Sequence, residues 1–256
     1  MSQSVDRAAT ILDACARGPQ RMADLSRLLD VHRSTALRLL QTMDRHRLVR
    51  QLEDGTWAIG FGLIGMALES LDRMDLRTAA RPRLERLARE VGHTVHLAEL
   101  LGNDIVYVDK VEGHGAVRMA SRIGAPVQVH TAAVAKTIIA GLTPEQRDTI
   151  LASATFQRFT ASTITRPSDY AVELARVRKQ GYAVDDSEHE SVLACVAVPV
   201  RDHTGTVHAG VSITALCALE PLDRLKRHLP LLWRMATEIS QHLGWDGTTG
   251  VRRHAG

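Results

Sequence analysis

Residues 33–50 read Arg-Ser-Thr-Ala-Leu-Arg-Leu-Leu-Gln-Thr-Met-Asp-Arg-His-Arg-Leu-Val-Arg. At about 100° per residue, Ala36, Leu37, Leu40 and Met43 fall on one side of a helix. Ser34, Thr35, Arg38, Gln41, Thr42 and Arg45 fall together on the other. That second face carries hydroxyls, an amide and guanidinium groups, and no carboxylate. Hydroxyls bond phosphate oxygens or base edges, and arginine forks onto guanine. The stretch holds five arginines, at 33, 38, 45, 47 and 50, against the single acid Asp44. Five positive charges less one negative give a local +4 in a chain of net +3, so a phosphate backbone would settle here. An ordinary amphipathic helix with a solvated face is the bland alternative, and the flanks discriminate.

Upstream, residues 4–16 carry Val5, Ala8, Ala9, Leu12 and Ala16 at helical spacing, and Gly18-Pro19 stops the run. A second short helix is expected over 22–29. Asp30-Val31-His32 breaks the chain before a third at 33–46. Downstream, extended runs at 48–52 and 56–59 flank Glu53-Asp54-Gly55, and Asp-Gly is a strong hairpin signal. Two helices around a tight break, followed by a hairpin, make a winged helix-turn-helix. On that frame the candidate DNA contacts are Arg33, Ser34, Thr35, Arg38, Gln41, Thr42, Arg45 and Arg50.

The chain has 256 residues, 45% hydrophobic and 24% charged, enough for about two domains with ordinary cores. That composition excludes a disordered tail protein, a collagen-like fibre and a disulfide scaffold. No apolar run is long enough to span a membrane, and the N-terminus lacks the apolar core of a signal peptide. Three widely spaced cysteines, Cys15, Cys195 and Cys217, fit a reducing cytoplasm rather than disulfides or a metal knuckle. Residues 61–91 read as helix with a break near Asp75 and a stop at Gly92. Beyond Thr94, strands are expected at 95–101, 105–111, 117–123, 192–200 and 207–214. Helices are expected at 131–141, 144–151, 169–180 and 222–243.

Several residues in this second part invite chemistry. Ser212 and Thr214 alternate with Val211 and Ile213, so one strand face packs a core and the other lines a pocket or solvent. Asp185-Asp186-Ser187-Glu188-His189-Glu190 is a dense acidic turn, open to reading as a solvated loop, a helix-capping loop or a cation site. His93 and His96 straddle a helix end and a strand start, which suits stray polar residues better than zinc ligands. Cys195 as a nucleophile needs a lowered pKa and an oriented base such as His189 or His208. The spacing forces neither, and a buried cysteine beside a ligand is the plainer reading.

The same residues resemble the IclR family of bacterial transcriptional regulators. The N-terminal likeness is carried by Met22-Ala23-Asp24-Leu25, Arg33 to Met43, Leu48-Val49-Arg50 and Gly55 to Gly60. The C-terminal likeness is carried by Glu99, Tyr107 to Glu112, Arg122-Ile123-Gly124, His130-Thr131-Ala132 with Lys136, and Arg178 to Glu190. It continues through Cys195 to Val200, Asp202 to Gly205 and Val211 to Thr214. The resemblance implies an operator-binding winged helix and a GAF-like effector domain. It also implies a homodimer or dimer of dimers and a small organic-acid effector. It places the effector against Met119, Ile123, Ala133, Val134, Asp185, Cys195, Ser212 and Thr214. Four departures stand out: Ala23 where a capping serine is frequent, Ala135 for glycine, Ala194 for an arginine near the pocket mouth, and Thr214 for serine.

The expected fold class is therefore α+β. A winged helix-turn-helix occupies 1–60, a linker helix 61–75, a GAF-like effector-binding and oligomerisation domain 76–246, and a tail 247–256. The expected function is a ligand-responsive regulator, in the sense of a repressor, working in the cytoplasm on double-stranded DNA without cofactor, metal or membrane. An enzyme using Cys195 is the alternative.

Overall fold

A computed structural model describes residues 2–72, 75–113 and 121–247. The chain divides into two compact units, Met1–Met74 and Asp75–Gly256. In the first, helices α1 (Gln3–Ala16), α2 (Met22–Leu28) and α3 (Arg33–Arg45) precede strands β1 (Val49–Gln51) and β2 (Trp57–Ile59) and helix α4 (Phe61–Asp72). Ile11, Cys15, Leu25, Leu40, Met43, Val49 and Trp57 form its core. Val5, placed on the apolar stripe of α1 by its spacing, is instead exposed.

Local chemistry sets the corners of this unit. His32 caps α3 by accepting the Ser34 N–H on Nδ1 at 3.3 Å. Helix α2 begins after Arg21 with no side-chain cap, and Ala23 lies inside its first turn. The β1–β2 hairpin pairs Val49 with Ile59 and Gln51 with Trp57. Its turn is tied by Asp54, which accepts the Thr56 N–H at 2.9 Å and the Thr56 hydroxyl at 2.6 Å. A third edge, invisible in the periodicity, comes from Gln20, which exchanges two backbone hydrogen bonds of 2.8 Å with Trp57. At Gly60 any Cβ would stand 2.2 Å from the Arg47 carbonyl oxygen, so only glycine fits.

The second unit begins with α5 (Asp75–Val91), ended by Gly92 at φ +74°. Strands β3 (Thr94–Leu101) and β4 (Asp104–Val111) follow, then helices α6 (Ala133–Gly141), α7 (Pro144–Ala152) and α8 (Pro167–Gln180). Strands β5 (Ala183–Asp186), β6 (Leu193–Arg201) and β7 (Val207–Leu216) precede α9 (Leu222–Leu225) and α10 (Leu229–His242). The five strands form one sheet in the order β4-β3-β7-β6-β5, antiparallel throughout. Helix α6 packs on β6 and β7 and against α8, while α10 packs on β6 and against α5. Period-two alternation sends Cys195 and Ala197 into the core around α6 and α8. Ala194, Val196 and Val198 point the other way.

Four expectations are corrected. The strand anticipated at 117–123 fails over 121–123, and 117–120 lies outside the described residues, as do Met119 and positions 248–256. Strand β5 was hidden in what looked like an acidic turn. The helix expected at 222–243 is interrupted by a 3₁₀ turn, Lys226–His228. Pro230, near the start of α10, lacks the N–H that a continuous helix needs there. Ala194 is fully buried on the face of β6 opposite Cys195 and does not line the cavity that Cys195 faces.

Leu40 is fully buried at the centre of the first core. Leu40→Ala is expected to lower the unfolding free energy of that unit by about 2–5 kcal/mol, measured by denaturant unfolding. A loss below about 1 kcal/mol would mean that α3 is not anchored there.

Candidate functional site

Helix α3 is held by its apolar side. Ala36 and Leu40 are fully buried and Met43 nearly so. The opposite side is solvent-facing: Ser34, Thr35, Arg38, Gln41, Thr42 and Arg45 are all exposed, as are Arg33 at the start of the helix and Arg50 on β1. Thr42 donates its hydroxyl to the Arg38 carbonyl at 2.8 Å, leaving its oxygen lone pairs outward. Ser34 Oγ lies 2.9 Å from His32 Nδ1. Arg50 stacks over Phe61, 4.6 Å from the ring centroid, which orients its guanidinium. Among the described residues, Arg33, Arg38, Arg45 and Arg50 form no salt bridge, and all four are exposed.

The second unit holds a cavity of about 300 Å³. Ala133, Val134, Asp185, Cys195, Ser212 and Thr214 all line it, six of the eight positions implied by the resemblance. Met119 lies outside the described residues. Ile123 does not line the cavity and is exposed. It occupies the second position of a turn closed by the Ala125 N–H on the Arg122 carbonyl at 3.1 Å, with Gly124 at φ +82°. That turn throws Ile123 outward and leaves its neighbours Ser121 and Arg122 on the cavity wall. Lining residues that sequence reasoning missed include His96, Tyr107, Arg122, Gln128 and His189.

Strand register explains why the polar groups converge. Asp185, Cys195 and Thr214 are successive cross-strand partners on β5, β6 and β7, so their side chains share one face. Cys195 Sγ lies 3.3 Å from Thr214 Oγ1, which lies 3.3 Å from His96 Nδ1 on β3. His96 Nε2 is 2.7 Å from Ser121 Oγ. Burial, with a smaller push from Lys110, drops the His96 pKa to about 3, so the ring is neutral at physiological pH. Burial also raises the Asp185 carboxyl, and burial with the Asp185 charge raises the Cys195 thiol well above its usual value. A thiol so disfavoured as thiolate is a poor nucleophile, and its nearest partners are Asp185 and Thr214 rather than a histidine.

The end of α6 completes the cavity. Ala132 provides no side-chain cap, and Ala133 and Val134 line the cavity at this helix start, where uncapped N–H groups favour an anion. Farther along α6, the fully buried Lys136 ammonium donates to the Val184 carbonyl at 2.9 Å and to the Glu188 carboxylate. Glu188 in turn gives its N–H to Asp185 at 2.7 Å. Two of the acids, Asp185 and Glu188, are thus buried beside an internal cation, while Asp186 and Glu190 stay exposed. Burial raises the Glu188 pKa to about 7 despite the opposing pull of Lys136.

The family models that match are the IclR helix-turn-helix domain over residues 4–53 and the bacterial transcriptional regulator IclR C-terminal domain over 68–241. The chain is 33% identical over 246 residues to the transcriptional regulator XynR of Escherichia coli K12, covering 95% of this chain and 98% of that one. It is 31% identical to the transcriptional repressor AllR of Salmonella typhi, covering 95% and 90%. The structure is similar to the Thermotoga maritima IclR, with TM-score 0.81, 31% identity and coverage of 94% and 98%. It is also similar to an IclR homologue of Microbacterium hydrocarbonoxydans solved with 4-hydroxybenzoate, with TM-score 0.81, 25% identity and the same coverage.

A carboxyl raised from 4.5 to about 7 by folding favours the native state while protonated. That contribution is complete below pH 4.5 and lost as pH rises through about 7. Glu188→Gln, neutral throughout, is expected to flatten the stability profile between these limits relative to the parent. Denaturant unfolding at several pH values measures it, and parallel profiles contradict the assignment.

Proposed function

Because the chain belongs to the IclR family of bacterial transcriptional regulators, we propose that it is a repressor whose operator affinity is set by a small organic acid in the cavity of the second unit. The observation that carries this reading is the exposed, carboxylate-free face of α3. Two copies would place Ser34, Thr35, Arg38 and Thr42 in successive major grooves, about 34 Å apart along the duplex. Arg33, Gln41 and Arg45 would flank these contacts, and Arg50 at the hairpin would meet the backbone. Pairing is supported by the exposed apolar side chains Val5, Phe61, Ile64 and Met66 on the first unit. The name of the AllR relative supports repression over activation.

An acid fits the cavity by charge and by size. The uncapped N–H groups at Ala133 and Val134 and the guanidinium of Arg122 on the wall favour an anion. The volume lies at the lower end of small-molecule sites, about 300–1,000 Å³, which suits a compact ligand. The 4-hydroxybenzoate in the Microbacterium homologue is such an acid, and Tyr107, His96 and His189 offer this chain ring surfaces for an aromatic one. Asp185, Cys195, Ser212 and Thr214 then supply polar contacts to the far end. The effector acts by binding the DNA-competent and DNA-incompetent arrangements unequally. Catalysis through Cys195 is disfavoured by its raised thiol, so we read the pocket as a sensor in a cytoplasmic, cofactor-free protein.

Gel shifts on the duplex upstream of the protein's own gene test the first half of this reading. Arg38→Ala is expected to weaken the specific shift by about 1–3 kcal/mol and to relax base preference. An equal loss on every sequence would make Arg38 a phosphate contact instead. A thermal-shift screen of aromatic and aliphatic carboxylates tests the second half. The expected hit stabilises the parent and loses most of its effect in Arg122→Ala, and no hit among acids contradicts the reading.

A further inference from the structure

The end of α5 and the β7–α10 connection, far apart in sequence, bring His93 together with Glu220 and His228. Gly92 ends α5 and releases the chain into His93, one residue before β3. Glu220 follows β7 and immediately precedes Pro221, the cap residue of α9. His228 closes the 3₁₀ turn in front of α10. Glu220 Oε2 lies 3.5 Å from His93 Nε2, and its Oε1 lies 3.9 Å from His228 Nε2. The two imidazoles stand edge to face, centroids 6.1 Å apart at 73°. One ligand atom from each residue lies within 4.8 Å of the other two.

These separations are too long for good hydrogen bonds, and the three ligand atoms, all within 4.8 Å of one another, would draw together around a shared ion. Bonds of about 2.0–2.1 Å in a tetrahedral zinc site hold ligand atoms about 3.4 Å apart. The three side chains are half-buried, at 16%, 20% and 29% exposure, so they are shielded yet reachable from solvent. Two imidazoles and one carboxylate suit zinc and its neighbours better than calcium or magnesium. None of the three lines the acid-binding cavity.

We propose that His93, Glu220 and His228 form a divalent transition-metal site of the zinc class, with a fourth position left to water. The ion ties the exit of α5 to the β7–α9 corner and the start of α10. It therefore fastens the beginning of β3, the strand that carries His96.

The test uses the full-length chain freed of affinity tag and stripped of metal with chelator. Zinc is titrated in competition with a chromophoric chelator, and cobalt(II) is added separately for its absorption spectrum. The expected result is one zinc per chain and a zinc-dependent rise in Tm. Affinity should fall by more than about 100-fold in His93→Ala and His228→Ala, and remain unchanged in Cys195→Ser. Should the histidine variants misfold, the wild-type cobalt spectrum decides, because nitrogen and oxygen ligation lacks a thiolate charge-transfer band. Absence of zinc binding, binding that survives both histidine variants, or a thiolate band overturns the proposal.

Discussion

The seam formed by Ala36, Leu40 and Met43 governs what the first unit can do. Burying these three side chains fixes the rotation of α3 about its own axis. Once that rotation is fixed, every hydroxyl, amide and guanidinium of residues 33–45 must lie outward, because the helix has only one other side. The core is small, so its other members matter in proportion. Trp57 closes it from the hairpin and is itself tied to Gln20 by paired backbone bonds. The face of Ser34, Thr35, Arg38, Gln41, Thr42 and Arg45 is thus a surface presented by packing, with the exposed Asp44 at its flank.

In the second unit the equivalent constraint is strand register. Asp185, Cys195 and Thr214 meet only because β5, β6 and β7 are aligned in one antiparallel pairing. A slip of one residue would turn all three away from the cavity. The fully buried Lys136 locks that edge by joining α6 to the backbone of β5 and to Glu188. Removing one partner of a buried pair leaves the other charge uncompensated, so this contact holds both the helix end and the strand that frame the cavity.

The parts of this molecule that were legible in the sequence are those whose signal is local. Helix α3 declares itself within thirteen residues by its 3.6-residue period, and the hairpin by Asp54-Gly55. The cavity residues Asp185 and Cys195 were reached by resemblance to a family, since no spacing ties them to Thr214. Strand β5 was missed because four residues with two aspartates carry little β propensity. The Lys136–Glu188 pair spans 52 positions, and His93 lies far before Glu220 and His228 in the chain; neither leaves a linear pattern. The resemblance places Ile123 on the cavity wall, whereas the turn at Gly124 sends that apolar side chain outward and keeps Arg122 on the wall.

The central claim is that the polar face of α3 lies against base edges of duplex DNA. A photo-reactive amino acid placed at Gln41, an exposed position in the middle of that face, tests it most directly. On a bound operator fragment, irradiation is predicted to yield protein–DNA crosslinks that map to major-groove base edges in two half-sites. Crosslinks to protein alone, or to DNA at no preferred position, would contradict the account.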